Sequence, residues 1–547
     1  MVRGRQARAE EMAGTAEVAM DYDVIVVGSG AAGLSAALAA AHDGARVLVL
    51  EKSRWLGGTS AMSGAGTWVP GNHHMMAAGI ADSPEETLAY IRGAAPPGWQ
   101  KDEDELWQVL AEQSAPMLKF LEAETPLRFE LVNHPDLYAE AAGGKPFGRM
   151  VSTRPISRFL LGRLWNRVRP SVKTQLFTYK ELVDGVLKHP VRGALGMAPT
   201  LLWRLLTASV GAGNALIVGL ARGCLDKGCR LQLDAPVSRL VMEGDTVVGV
   251  EATIDGEKRT LRAARGVVLA SGGFDWNAEL MAKHFPGLDL TGAPHANTGD
   301  GQAMAAEAGA ELAHMDQALI SPATFTTYEG RRHAQPLLET YAPHVILVNR
   351  AARRFVSEGS PALGVAIDER GPDSKPVHLP AWRIFDARYA KAMTLSMHFG
   401  SKEKGFIRTA ATLEALASQI DLDPQALRAT VDRFNGWSKQ GVDRDFHRGE
   451  TVWERFYTKD RALGTVEQAP FYAAPFLYVS LGTKGGARTD RHGQVLRPDG
   501  SVIGGLYCAG LAAASPIGTK AVGAGTTIGP FLTFGHVAGR AIARRNV

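Results

Sequence analysis

The apolar positions of this chain fall first into a short unbroken run and then into a helical one. Tyr22-Asp-Val-Ile-Val-Val27 is β-branched and ends on Gly28, which predicts a strand buried on both faces in a parallel sheet. The Ala-rich stretch Ala31–His42 predicts a helix, and Arg46-Val-Leu-Val-Leu-Glu51 predicts a second strand. Together they form a strand–helix–strand unit of about 30 residues. Ser83-Pro-Glu-Glu86 reads as a helix start: a capping serine, proline at the first helical position and glutamate at the third. Leu106, Val109, Leu110, Leu118 and Leu121 then carry helical spacing. Strands are predicted at Arg230–Asp234, Val237–Met242, Val247–Ile254 and Gly266–Ala270.

Between Phe274 and Ala474 the pattern is helical, with a strand at Val345–Val348. Glycine-rich strand and turn signals return from Tyr478 to Gly510, and the chain closes on a helix over about Thr527–Arg545. No internal repeat is visible. The expected fold class is α/β: a discontinuous Rossmann-type dinucleotide-binding domain (21–273 with 475–547) carrying an inserted α+β substrate domain (274–474), after a disordered segment at 1–20.

Composition narrows the classes. The 547 residues are 45% apolar and 21% charged, with a net charge of +4, so nucleic acid is not an expected partner. Three cysteines build no disulfide framework and suit a reducing cytoplasm; Cys224 and Cys229 read as buried apolar groups in preference to a redox pair. No secretory leader is apparent, and no uncharged apolar run reaches ~18 residues, so a soluble cytoplasmic protein is expected. One stretch departs from the mixed charge. Arg154, Arg158, Arg163, Arg167, Arg169 and Lys173 alternate with Phe159, Leu160, Leu164 and Trp165 and no acid. Such a segment (154–173) suits peripheral contact with an anionic membrane, although a solvated helix over the active site is the preferred reading. Trp107, Trp165 and Trp203 are expected to fill a helical core in preference to walling a pocket. His73-His74 has no further ligand at suitable spacing, so no metal is assigned.

Gly28-Ser-Gly30-Ala-Ala32-Gly33 lies where a strand meets a helix. Gly28 permits the turn, Gly30 lets a pyrophosphate approach the backbone, and Gly33 lets helix and strand pack closely. The helix N-terminus would face the phosphates, and Glu51, at the end of the second strand, suits a ribose diol. Gly57-Gly58-Thr59-Ser60 and Ser63-Gly64-Ala65-Gly66 suit a loop against a flat ring and an extended pyrophosphate. There is no second fingerprint of this quality; Gly211-Ala-Gly213 reads as a packing turn. This points to FAD, with NAD(P)H not the electron partner.

Eight blocks carry a resemblance over nearly the whole chain. They are GSGAAG at Gly28, GGTSAMSG at Gly57, VVLASGGFDWN at Val267, NTGDG at Asn297, RRFVSE at Arg353, GVDRDFHRGE at Gly441, GTKGGARTD at Gly482 and GLYCAG at Gly505. In this order they resemble the fumarate reductase-type flavoprotein superfamily, and within it the 3-ketosteroid dehydrogenases. The resemblance implies non-covalent FAD, with no histidine in the GGTSAMSG loop to hold it covalently, and a substrate between two domains over the flavin. It places Gly28, Gly30, Ala32, Gly33, Glu51, Lys52, Gly58, Thr59, Ser60, Ser63 and Gly64 along the cofactor. Val237, Ala270, Gly272, Asp300, Gly510, Thr527 and Ile528 join them.

Desaturation beside a ketone removes an α-proton and a β-hydride, and needs donors at the carbonyl oxygen. By resemblance, Gly525 supplies a backbone donor in the loop Gly518–Gly525. The family's carbonyl tyrosine is replaced by Ala521 and its base tyrosine by Ala362. Tyr138, Tyr179 and Tyr341 remain as candidate bases, Tyr138 through a loose match to an assisting tyrosine, and Lys520 as a candidate enolate stabiliser. The expected activity is introduction of a C=C bond next to the carbonyl of a small hydrophobic cyclic ketone, steroid or cyclohexanone-type. A quinone, dye or dioxygen would take the electrons. The rival is a fumarate reductase-like enzyme acting on an unsaturated acid. It lacks its proton-donating arginine at Ala362, and only Lys520 stands near the position of its substrate-clamping one.

Overall fold

Tyr22–Val27 is buried from Val24 onward because parallel strands flank it on both sides, Val47–Leu50 on one edge and Glu257–Leu269 on the other. The computed structural model describes residues 21–186, 195–336, 342–392, 406–458 and 462–546. Arg230–Gln232 extends this sheet beyond Val47–Leu50, and Val502–Cys508 extends it beyond Glu257–Leu269, all in parallel. First, middle and last parts of the chain therefore share one sheet.

The expected strand at Gly266–Ala270 is the end of a 13-residue strand. Its polar first half, Glu257–Arg262, pairs antiparallel with Thr246–Ile254, and its apolar second half enters the parallel core. Only that second half carries the buried-strand signature. Helices cover the sheet: Ala31–His42, Ala212–Asp226 and Ile528–Ala543 pack in one buried cluster with its residues. Gly213 is indeed a packing position, since a Cβ there would lie 2.2 Å from the Ser60 carbonyl oxygen. Ser83 caps the helix Pro84–Ala94 by accepting the Glu86 N–H, as its sequence predicts. Cys224 and Cys229 are buried against the helix Ala31–His42 and donate to the carbonyls of Leu34 and Ala37.

The C-terminal helix runs parallel to Ala31–His42 at backbone contact. A Cβ on Gly535 would stand 2.3 Å from the Ala32 carbonyl oxygen, and one on Gly539 would stand 2.2 Å from that of Ala36. The stretch 300–313 also packs here: Met304 and Ala305 join the sheet's core, and Leu312 pairs with Ala487. Further along, Val345–Val348, Ala381–Phe385, Phe471–Phe476 and Arg408–Ala410 form a separate four-stranded sheet covered by the helices Leu413–Gln419 and Pro424–Lys439.

Two blocks of the resemblance meet in a buried ion cluster in this second region. Arg354 and Glu358 come from RRFVSE, Asp443 and Arg448 from GVDRDFHRGE, and all four are paired. Burial by itself raises the Glu358 carboxyl, but the two guanidiniums outweigh it and hold it below its usual value. Of the three tryptophans expected in a core, only Trp107 is buried. Trp165 and Trp203 stand on the surface, because the short segments carrying them present these rings away from the sheet.

The helix contact yields a prediction. Gly539→Val places side-chain carbon against a backbone oxygen that cannot yield, at a cost of about 2–3 kcal/mol. The thermal midpoint of the holoprotein should fall by several degrees, whereas Gly436→Ala, at a helical position with open space, should not lower it.

Candidate active site

A cleft of about 750 Å³ opens at the carboxyl ends of the parallel strands, where ligands of open α/β sheets bind. Gly28 follows the first strand, Glu51 the second, Ala270 the long one and Gly510 the last, and all four line the cleft. Gly28 has φ +109°, and a Cβ there would meet the Ala270 carbonyl oxygen at 2.3 Å, so the turn requires glycine. Gly30 caps the helix Ala31–His42 in extended backbone, and the nearest atom to its missing Cβ is Ser60 Oγ at 3.7 Å. A side chain at Gly30 would thus occupy the cleft in front of a helix N-terminus, the place a pyrophosphate takes.

Ser60 Oγ accepts the Ala31 N–H at that same terminus. Glu51 accepts from Ser29 through N–H and hydroxyl, at 3.1 and 2.6 Å, and from the Ser53 N–H. It is therefore held rigidly at the strand end. Lys52 Nζ binds Asp300 at 2.7 Å and Thr298 at 2.6 Å, and Asn297 donates to Thr59, closing the cleft's other wall. Helix dipole, glycine cradle and a fixed acid fit a dinucleotide such as FAD.

Of the expected cofactor residues, Gly28, Gly30, Ala32, Glu51, Lys52, Gly58, Thr59, Ser60, Val237, Ala270, Gly272, Asp300 and Gly510 line this cleft. Gly33 lies behind it, where a Cβ would stand 2.0 Å from the Gly28 carbonyl oxygen. Ser63 donates to Ser60, and Gly64 lies under the Tyr179 ring. Thr527 and Ile528 start the C-terminal helix, and Ile528 is buried in the core. Leu511, Phe531 and Met304 line the cleft without a sequence motif to mark them.

The loop Gly518–Gly525 is fastened at several points. Lys484 Nζ donates to Gly518 O at 2.6 Å, Gln317 Oε1 accepts the Thr519 N–H, and the Tyr90 hydroxyl donates to Val522 O. Gly525 has φ +82°; its carbonyl accepts the N–H of Trp68 and of Gly529. A Cβ on Gly525 would lie 2.6 Å from the Gly66 carbonyl oxygen. The Trp68 indole in turn donates to Asp136 at 2.8 Å. Arg149 bridges Asp136 and Asp82 beneath the rings of Trp68 and Tyr90. A buried ion cluster therefore stands behind the glycine turn.

The structure brings Tyr179 to this turn, its ring against Gly64 and Gly66 and packed with Ala524. Tyr138 lies in the neighbouring cluster with Lys520 Nζ 5.2 Å from its ring centre, and its hydroxyl is buried without a partner. Burial pushes both phenols up to about 12. Burial also lowers Lys520. Tyr341 lies outside the described residues. Ala362 caps the short helix Leu363–Ile367 and brings no phenol. His73 and His74 both face Glu122, at 2.7 and 3.1 Å, a carboxylate too distant in sequence to be expected there.

This geometry matches known proteins. The family model for the FAD binding domain covers residues 23–528. The chain belongs to that family. It is 35% identical to a 3-oxosteroid 1-dehydrogenase of Mycobacterium tuberculosis, over 96% of this chain and 98% of that protein. It is 34% identical to a 4-oxocyclohexanecarboxylate 2-dehydrogenase of Sinomonas cyclohexanicum, over 95% and 93%. The crystal structure of 3-ketosteroid delta1-dehydrogenase from Sterolibacterium denitrificans, in complex with 1,4-androstadiene-3,17-dione, superposes with a TM-score of 0.86 at 32% identity, covering 95% of this chain and 99% of that one. The expectation of an FAD-dependent oxidoreductase acting on CH–CH groups is borne out.

Lys484, missed by the sequence reading although it stands in GTKGGARTD, is pushed down to about 7 by complete burial. An amine depressed in the folded state penalises folding below about pH 7, and the penalty is relieved as pH rises toward the unfolded value near 10.5. The thermal midpoint should therefore rise with pH across this window, and Lys484→Met should flatten that rise in a pH series of melts.

Proposed function

We propose that this flavoenzyme desaturates a cyclic ketone, and that the Gly525 N–H binds the carbonyl oxygen. The observation that carries the reading is the state of that N–H: it has no acceptor among the described residues, although the turn around it is fastened on every side. A fixed, unused donor is what an oxygen gaining enolate charge requires. FAD bound in the cleft supplies the acceptor for the β-hydride. The chain divides, on this reading, into a flavin unit of 21–273 with 475–547 and a substrate unit of 274–474, of which 300–313 packs onto the flavin unit.

Ala521 and Ala362 leave the substrate without two phenols, which favours a ketone held differently from a typical 3-ketosteroid; steroid and cyclohexanone-type rings both stay within the class. A quinone, dye or dioxygen would reoxidise the flavin. A fumarate reductase-like reaction fits less well, since Lys520 covers the Tyr138 ring and Ala362 carries no proton donor. Anaerobic addition of 3-ketosteroids and of cyclohexanones should bleach the flavin band with at least one class; no bleaching by either would end the reading. Gly525→Ala, strained at φ +82° and crowding Gly66, should keep FAD yet slow reduction about 100-fold.

The same proposal includes peripheral contact with an anionic membrane. No described helix is long and apolar enough to cross a membrane. Arg158–Leu164 is a short 3₁₀ segment with a left-handed Gly162 and not one amphipathic helix, and Arg169 is buried. The pairing of Ile156–Ser157 with Ser209–Val210 sets this segment beside the helix Ala198–Leu206. Phe159, Leu160, Trp165, Leu202, Trp203, Leu205 and Leu206 are all exposed there, Trp203 by 67% and Leu206 by 71%. Arg154, Arg163 and Arg167 are exposed in the same segment. An apolar patch with exposed arginines suits acidic lipid headgroups. The protein should cosediment with phosphatidylglycerol vesicles and less with phosphatidylcholine ones, and serine at 202, 203, 205 and 206 should abolish this; equal recovery in the supernatant with and without vesicles would refute it.

A further inference from the structure

We infer that Tyr457, backed by His134, takes the α-proton from the ketone. The inference rests on the desaturase reading above and supplies the base that Ala362 removes. His134 Nδ1 lies 3.1 Å from the Pro135 carbonyl oxygen, which only accepts, so Nδ1 carries the ring proton. Nε2 is then a lone pair, and the Tyr457 hydroxyl 2.8 Å away donates to it. A phenol hydrogen-bonded to a buried imidazole lone pair is a proton relay already in its reactive tautomer. Burial pushes His134 down to about 4, so the ring is neutral and its lone pair available at neutral pH.

The pair joins two distant stretches of chain beside the glycine turn. Tyr457 stands on the helix Val452–Thr458 next to Phe456. Phe456 packs with Tyr179 and Ala524 on the cluster of Val132, Met150 and Val183. Ala524 immediately precedes the proposed oxygen donor. The rings of Trp453 and Phe456 edge onto His134 at 5.0 and 5.5 Å between centres, which keeps the imidazole dry. Neither described tyrosine candidate hydrogen-bonds to an imidazole. Tyr138's hydroxyl is buried alone, and Tyr179 makes no side-chain hydrogen bond to a described residue.

The step balances. The α C–H bond breaks and its proton bonds to the Tyr457 oxygen while the phenol's own proton moves to His134 Nε2. The electron pair left on carbon gives an enolate, its oxygen on the Gly525 N–H. As the C=C bond closes, the β C–H pair leaves as hydride to FAD, and the imidazolium later returns its proton to solvent. No free phenolate forms; the net proton acceptor is His134, and because burial disfavours its cation, proton transfer must be concerted with hydride departure. Asp184 favours the cationic ring while it lasts.

Tyr457→Phe and His134→Gln test this by anaerobic stopped-flow reduction with α- and β-deuterated ketone. Tyr457→Phe should retain FAD and ketone affinity, reduce its flavin at least about 100-fold more slowly, and show a larger α-deuterium effect than wild type with the β effect not increased. His134→Gln should slow reduction in the same α-sensitive way, and carries the test by itself if Tyr457→Phe loses its flavin. Reduction of both variants within threefold of wild type, or a slowing with no change in the α effect, overturns the inference while leaving the desaturase reading intact. A wild-type protein that no cyclic ketone bleaches removes both.

Discussion

Two parallel helices in backbone contact hold this molecule's chemistry together. Gly535 and Gly539 let the C-terminal helix lie on Ala32 and Ala36 of the first helix, with no side chain between them. The first helix's N-terminus, at Gly30, faces the cleft, and the C-terminal helix, which follows the turn carrying Gly525, lines the cleft through Phe531. The placing of the Gly525 turn relative to the first helix is thereby set by glycines that have no chemistry of their own.

Around this contact, charge is used as scaffolding. Arg149 with Asp82 and Asp136 holds Trp68, and Trp68 holds Gly525 through its backbone and its packing. Lys484, its amine pushed down to about 7 by burial, fastens the start of the same loop. The cluster of Arg354, Glu358, Asp443 and Arg448 does the corresponding work in the second region. Buried ions of this kind add little net stability, since desolvation offsets attraction, but removing one partner is costly. They suit parts that must keep one geometry.

The relation to 3-oxosteroid and 4-oxocyclohexanecarboxylate dehydrogenases fits a common scaffold with a changed grip. On the proposed reading, alanines at 521 and 362 leave the backbone donor in place and make the acid–base group the variable part. The relay inferred for Tyr457 and His134 would place the base outside the motif loops, where two distant stretches of chain meet. Such a shift is chemically cheap, because a proton acceptor needs only reach and a second acceptor behind it.

The first strand, the fingerprint glycines and Glu51 were legible in sequence because strand–turn–helix geometry is local: each residue's role depends on neighbours within about 30 positions. The same holds for the Ser83 cap and the buried run at Val345. Roles that depend on through-space partners were not legible. No element was legible at Glu257–Arg262 because its half of the strand is polar and paired in a surface hairpin. Trp165 and Trp203 read as core because hydrophobicity does not say which face a short segment presents. The Tyr457–His134 hydrogen bond carried no signal at all, since folding alone brings together residues 323 positions apart.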